Sequence, residues 1–141
     1  MASFVKYEQF VEDLGNKVHD LVGTNDTLKV LLSNSAPNVS THAVRADTSE
    51  LSTGGGYTSG GEDTQNNGSE SGGTLTVTGV DIVFTAAGGT IGPFRYAILY
   101  NDTPSSPADP LIGYWDYTSS ITLQEGETFT VDFGASLFTI A

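Results

Sequence analysis

Residues 94–100 read Phe-Arg-Tyr-Ala-Ile-Leu-Tyr, and residues 111–117 read Leu-Ile-Gly-Tyr-Trp-Asp-Tyr. Both stretches are rich in the aromatic and aliphatic side chains that fit a pleated, half-buried surface, so each predicts a β-strand. Alternate side chains of a strand share a face. We therefore expect one face of the first strand to carry four large side chains, those of Phe94, Tyr96, Ile98 and Tyr100.

The chain around these two stretches continues the β pattern. Residues 28–32 form a short apolar run that ends in a turn, which is typical of a buried strand. Residues 74–78 and 128–133 alternate polar and apolar side chains, and further short strands are expected from residue 81 to the end. About six to eight strands separated by turns predict a mostly β protein, an antiparallel sandwich or jelly roll.

Residues 3–22 have a different pattern, with apolar side chains at three- and four-residue steps. Phe4, Tyr7, Phe10 and Leu14 begin this series, and the spacing predicts an N-terminal amphipathic helix over 3–22. Such a helix needs a partner for its apolar face. It either covers the sheet or docks on another subunit. His19 is expected on its polar, solvated flank.

Residues 53–73 contain 8 glycines among 21 residues and one aromatic side chain, Tyr57. A segment of this composition buries too little apolar surface to offset its loss of conformational entropy. It predicts a glycine-rich flexible loop. Because the segment is short and central, we expect one domain over residues 1–141 rather than two.

The charge balance excludes whole classes of partner. The 141 residues include 5 Lys plus Arg and 17 Asp plus Glu, a formal net charge of -12. Nucleic-acid binding needs clustered cations, as does binding to anionic membranes, so we expect neither. The chain has no cysteine and hence no disulfide framework. Charges interrupt the N-terminal apolar pattern, so we expect no secretory signal and a protein made in a cytosol.

The residues that carry chemistry form no convincing catalytic site. The chain has 2 histidines, and no Gly-x-Ser-x-Gly elbow or Gly-Lys-Ser/Thr phosphate loop. Acidic pairs such as Glu62-Asp63 allow calcium, but no loop has the spacing of a dedicated site. Asp116 and Asp132 leave open a carboxylate pair for hydrolysis, although both are expected to point outward. We therefore expect no enzyme activity, no cofactor and no metal.

An aromatic cluster and two rare cations complete the set of notable residues. The cluster is expected to form the core or a subunit contact, with a carbohydrate platform as the alternative. Lys29 and Arg95 lie in predicted strands of an acidic chain, so each is expected to pair with an interior or intersubunit carboxylate. The aromatic residues are Tyr96, Tyr100, Tyr114, Trp115 and Tyr117.

Several stretches together resemble a family of small tailed-bacteriophage virion proteins. The likeness covers nearly the whole chain outside 53–73. It is carried by residues 1–4, 10–14 and 17–21, by Thr-Leu-Lys-Val at 27–30, by Asn-Ser-Ala-Pro at 34–37, by 92–102 and 111–117, and by Glu-Gly-Glu-Thr-Phe-Thr-Val-Asp-Phe at 125–133.

This resemblance implies a capsid decoration, or cement, protein with a sandwich or jelly-roll body. Such a protein binds the outer head shell, bridges capsomers and has no catalytic residues. Its expected partners are the major capsid protein and further copies of itself, and its expected location is the virion surface after synthesis in the bacterial cytoplasm. A tail or fibre component that binds host carbohydrate is the alternative.

Either the N-terminal helix or the strand at 28–32 is expected to contact the shell, and the loop 53–73 is expected to face solvent. The expected capsid or oligomer interface consists of Phe4, Tyr7, Phe10, Leu14, Arg95, Tyr96, Tyr100, Tyr114, Trp115 and Tyr117.

Overall fold

The computed structural model describes residues 2–141. Antiparallel strands dominate this part of the chain, and one α-helix accompanies them. In chain order the elements are β1 (Phe4–Lys6), α1 (Glu8–Gly15), β2 (Leu28–Ser33), β3 (Glu62–Asp63), β4 (Asn67–Ser71), β5 (Thr74–Thr78), β6 (Ile82–Thr85), β7 (Ile91–Asn101), β8 (Leu111–Leu123), β9 (Thr128–Val131) and β10 (Phe138–Ile140).

The largest sheet is built on the two aromatic stretches at residues 94–100 and 111–117. It has five strands in the order β1-β8-β7-β2-β3, and β7 and β8 form its long central hairpin. The run at β2 is buried almost throughout, which explains why its apolar side chains do not alternate with polar ones. The prediction of a buried strand at 28–32 is therefore confirmed.

Two smaller sheets lie against the large one. One has three strands in the order β10-β5-β4, and the other is the pair β6-β9. The main hydrophobic core combines side chains from all three sheets, so no sheet could bury its apolar face alone. Representative core residues are Val30 and Ile112 of the large sheet, Val77 of the three-stranded sheet, and Phe84 and Val131 of the pair.

The second face of the large sheet carries its own buried cluster, made of Tyr7, Leu31, Tyr96, Ile98, Tyr100 and Leu111. The connection after β2 runs along this face. Its backbone accepts hydrogen bonds from Leu111 N–H at Ala43 O and from Glu8 N–H at Val39 O, both 3.0 Å long.

Phe94 does not share a face with Tyr96, Ile98 and Tyr100, so the strict alternation expected for β7 is wrong. The register against β8 shifts between Phe94 and Tyr96. Phe94 lies opposite Ile121 and Tyr96 opposite Asp116, so two steps along β7 correspond to five along β8, and this irregularity interrupts the alternation of faces. Phe94 consequently enters the main core, where its ring meets Phe129 edge-on at 5.0 Å.

The predicted helix over 3–22 is wrong in extent, because α1 has only 8 residues. Before it, β1 pairs with β8, and Phe4 lies opposite Trp115. After it, Lys17 takes a positive φ of 61° that stops the helix. Pairing with a sheet edge outweighs the local helical periodicity, which is a weak preference by itself.

The segment 53–73 is not the irregular loop that its composition predicted. It contains β3 and β4, and Tyr57 within it is only 2% exposed. Its glycines allow close backbone contact: a Cβ on Gly61 would overlap the carbonyl oxygen of Val30, and one on Gly68 that of Leu21. The glycines therefore serve packing as well as turns.

Candidate functional site

An apolar groove lies between two sheet edges and α1. It encloses about 650 Å³. The N-terminal segment supplies one wall and the last strand supplies the other. The lining residues are Phe4, Lys6, Phe10, Val11 and Leu14 on the first side and 136–141 on the second.

Three aromatic rings form the floor of this groove. Phe4 stacks on Phe138 with 5.6 Å between ring centroids, and Phe10 meets Phe138 edge-on at 5.6 Å. Phe4 also packs against Trp115 at 5.4 Å. Aromatic pairs of this geometry stabilise their contact beyond the area they bury. The floor is therefore fixed by the core, while Val11 at the rim is 53% exposed.

The strands that border the groove are both edge strands. In the described part of the chain, β1 pairs only with β8 and β10 pairs only with β5. An edge strand presents N–H and C=O groups on its outer side that can pair with another chain. The groove thus combines an apolar floor with backbone groups that can accept a further strand.

A second depression extends the groove past the end of α1. Leu14 and Ile140 belong to both, so the two are continuous. The extension brings in Val22, which is 58% exposed, and Leu75 of β5. We call the combined surface, lined by the two sets of residues, the edge groove.

The edge groove also holds the unpaired cations of the protein. The chain has five Lys and Arg residues. Lys6 and Lys17 line the edge groove, and within residues 2–141 neither forms an ion pair. The other three pair with carboxylates: Lys29 with Asp102 at 3.3 Å, Arg45 with Glu50 at 2.8 Å and Arg95 with Asp116 at 2.8 Å.

Of the predicted interface residues, the structure brings Phe4, Phe10 and Leu14 together at the edge groove. The others lie elsewhere. Tyr7, Tyr96 and Tyr100 belong to the second buried cluster, with Tyr114 packed against it; Trp115 is in the main core; Tyr117 packs on Phe129; and Arg95 pairs with Asp116. The aromatic cluster is thus split between the two faces of one sheet.

The opposite wall of the groove escaped the sequence analysis. Phe138 and Ile140 were expected in a strand, but nothing in the sequence indicated that this strand would face residues 4–14. The sequence contains one signal for this site that our predictions did not use. Two cations, Lys6 and Lys17, lie beside apolar residues in the N-terminal segment. Lys29 and Arg95 each pair with a carboxylate, but Asp102 and Asp116 are partly exposed residues of the same chain and not the interior or intersubunit carboxylates that were expected.

The aromatic residues of β8 offer little surface for a stacked sugar. Trp115 is 5% exposed, and its ring is held between Phe4 and Phe133, with centroids 5.4 Å away in both cases. Tyr117 meets Phe129 edge-on at 4.9 Å. These rings are engaged in packing, which removes the flat open faces that a carbohydrate platform requires.

The two strand carboxylates have separate structural contacts. Asp116 receives two hydrogen bonds from Arg95, of 2.8 and 3.0 Å, and these bonds lower the pKa of Asp116 below its ordinary value. Asp132 accepts a hydrogen bond from Gly134 N–H at 2.8 Å. A general acid for glycoside hydrolysis needs a raised pKa. Asp116 is shifted in the other direction.

A buried polar cluster lies next to the extension of the edge groove. The Asn101 amide nitrogen donates to Asp26 Oδ2 at 2.7 Å and lies 2.9 Å from His19 Nδ1. His19 Nε2 and Asp13 Oδ2 are buried without a hydrogen-bond partner. His19 was expected to be solvated on a helix; instead it packs against Phe10 at 5.2 Å, beyond the end of α1. Burial lowers the pKa of His19, although Asp13 and Asp26 oppose this shift.

No family model, curated protein or solved structure matches this chain in the comparisons. Within residues 2–141, His, Asp and Glu form no group of three placed to hold a metal ion. The one α-helix of that region, α1, is far too short to cross a membrane. The edge groove is the candidate functional site of this chain.

Proposed function

We propose that this chain is a non-enzymatic assembly protein that decorates a bacteriophage head, binding the outer shell and bridging capsomers. The observation that carries the proposal is the edge groove, an open apolar surface on a fixed aromatic floor. Apolar side chains that are open to solvent beside unpaired strand edges can be covered by a partner. The resemblance of the chain to tailed-phage virion proteins supplies the class of partner, the major capsid protein.

The charge of the chain supports a protein partner. A net charge of -12 repels the phosphates of DNA and of anionic lipids. It does not prevent apolar contact at a groove whose own cations, Lys6 and Lys17, are free of ion pairs within residues 2–141. Many copies on one shell would give firm attachment even where each contact is weak, provided that copies also touch each other.

Our proposal also includes the way in which the three sheets pack. We infer that the large sheet and the two small sheets pack as the layers of a β-sandwich. The main core supports this arrangement because it joins Val30 and Ala97 of the large sheet with Phe138 and Phe84 of the small ones.

A pair of valine substitutions tests the proposal. Val11 lies at the rim of the edge groove and is 53% exposed, whereas Val83 lies in β6, outside the groove, and is 55% exposed. Val11→Glu places a charge in the apolar surface, and Val83→Glu makes the same chemical change elsewhere. Thermal melting first establishes that both variants fold.

The binding assay uses heads of the phage that encodes this chain, purified without it. We expect the wild type and Val83→Glu to bind the heads and Val11→Glu to lose about tenfold or more in affinity, because the new carboxylate would be buried against an apolar surface on binding. Equal binding by Val11→Glu and Val83→Glu would refute the groove as the attachment surface. Binding of the wild type to tails and not to heads would support the tail alternative and refute decoration.

A further inference from the structure

Every residue of the last strand, β10, lines the main part of the edge groove. Residues 136–141 form one wall, whereas β1 contributes only Phe4 and Lys6. Gly68 N–H and C=O both bond to Gly23, so the backbone groups of Val77, which lies opposite Gly68, point to β10, where Phe138 lies opposite Val77. Because these groups alternate in direction along an antiparallel strand, those of Phe138 and Ile140 point to β5 and those of Thr139 point to the open edge.

The side chains next to this open edge favour an apolar occupant. Phe138 and Leu137 are buried, Ile140 is half-buried, and Leu14 faces them across the groove. A strand laid beside β10 would alternate its side chains between this floor and solvent. Apolar residues at every second position of the added strand would therefore be buried against the floor, and the side chains between them would remain exposed to solvent.

The two lysines of the edge groove favour an occupant that carries negative charge. Lys6 lies in the main part and Lys17 in the extension, so an occupant that runs along the groove meets both. One carboxylate, Asp20, also lines the extension, but it accepts a hydrogen bond from the Asn25 side chain at 3.0 Å. Free ammonium groups attract carboxylates and raise the rate of association with an acidic partner.

We propose that the edge groove holds an extended acidic segment of the partner protein, apolar at alternate positions, which adds as a strand to the open edge of β10. Strand addition of this kind draws affinity from main-chain hydrogen bonds and specificity from alternate side chains. The inference rests on the proposed function for the identity of the partner. A second copy of this chain is the competing occupant, and the test below distinguishes it from a segment of the partner protein.

The test uses synthetic peptides and the full chain, so it can fail independently of the head-binding assay. The first probe is the blocked peptide Glu-Val-Thr-Val-Thr-Val-Glu. The second has lysine in place of both glutamates. The third keeps the acidic sequence but carries N-methyl groups on alternate amides, which removes strand hydrogen bonds on one edge. Binding is followed by the amide NMR signals of the 15N-labelled protein.

We expect the acidic peptide to shift the amide signal of Thr139 and to bind about tenfold more tightly than its lysine counterpart. The N-methylated peptide is expected to lose this binding. In the double variant Lys6→Gln/Lys17→Gln, whose unchanged melting temperature serves as the control, the two charged peptides should bind equally.

Three results would overturn the inference. The first is no shift at Thr139 at millimolar concentrations of the acidic peptide. The second is equal binding of the N-methylated peptide, which would exclude strand addition. The third is a dimer of the chain in light scattering that Val11→Glu abolishes, which would make a second copy the occupant. If the peptide binds but heads do not, strand addition stands and the decoration role fails.

Discussion

The hydroxyl of Tyr57 lies 2.6 Å from Oε2 of Glu50 and donates a hydrogen bond to it. The same hydroxyl oxygen accepts a hydrogen bond from Leu32 N–H at 3.1 Å, at the edge of β2. Gly60 N–H donates to the same carboxylate at 2.5 Å. A glycine-rich segment is thus fastened to the large sheet through one phenol and one carboxylate, and burial together with Glu50 raises the pKa of Tyr57 so that it stays a donor.

Replacing Tyr57 by Phe should destabilise the protein. The change leaves the buried Leu32 N–H without a partner and removes one of the two hydrogen bonds to Glu50 Oε2, which together cost about 2 kcal/mol in the free energy of unfolding. Urea unfolding of the variant measures this loss directly.

Tyr7→Phe is the matched control. Tyr7 is also fully buried, but its hydroxyl has no hydrogen-bond partner. Removing that hydroxyl should leave stability unchanged or raise it by up to about 1 kcal/mol. Equal losses in the two variants would contradict the assigned role of the Tyr57 hydroxyl.

Two glycine substitutions should have opposite effects. A Cβ on Gly68 would overlap the backbone carbonyl of Leu21, next to the paired hydrogen bonds that join Gly23 and Gly68. Gly68→Ala should therefore cost about 2 kcal/mol or more. Gly15 ends α1 with open space around it, so Gly15→Ala should raise stability by up to about 1 kcal/mol. Thermal melting compares them, and a tolerated Gly68→Ala would show that the contact is looser than described.

Stability should fall in mild acid because of His19. Burial lowers its pKa in the folded protein, whereas the unfolded imidazole takes up a proton near pH 6.5. Below that pH the unfolded state binds more protons than the folded state. His19 therefore makes its full contribution to the free energy of unfolding above about pH 6.5. This contribution declines as the pH falls from there toward the pKa of His19 in the folded protein.

The measurement is urea unfolding of wild type and His19→Gln at about pH 7.5 and about pH 5.5. The wild type should lose more stability between these values than the variant does. Equal losses would mean that His19 is not held neutral by the fold. Asp13 and Asp26, the carboxylates that act on His19, are present in both proteins.

The Arg95–Asp116 pair allows a direct check on the catalytic alternative. Hydrogen bonds from Arg95 lower the pKa of Asp116, so this carboxylate should titrate below its reference value of 3.8. In Arg95→Gln the midpoint should move upward, as followed by NMR of the side-chain carbon. A wild-type midpoint well above the reference value would reopen the possibility of a general acid at this position.

Local sequence patterns correctly predicted the strands whose side-chain pattern matches their burial in the fold. The buried strand β2 and the aromatic strands β7 and β8 were recognisable because apolar runs between turn residues have few other solutions. The predicted sheet alternation failed at Phe94, where a register shift interrupts it. A bulge depends on pairing with a distant strand, and no local pattern records that pairing.

The candidate site was harder to predict than the fold. Phe4, Phe10 and Leu14 were selected as one apolar face of a long helix, but Phe4 reaches the site as part of a strand. The opposite wall comes from Phe138, more than a hundred residues later in the chain. Local periodicity reveals which side chains seek burial, but the surface they share is set by long-range strand order.

An electron cryomicroscopy reconstruction of heads from the phage that our proposal assigns as the source of this chain tests the central claim most directly. The account predicts copies of the protein on the outer shell, each with its edge groove closed by capsid protein and with a partner strand beside Phe138–Ile140. Heads without the protein, or copies whose edge groove faces open solvent, would contradict it.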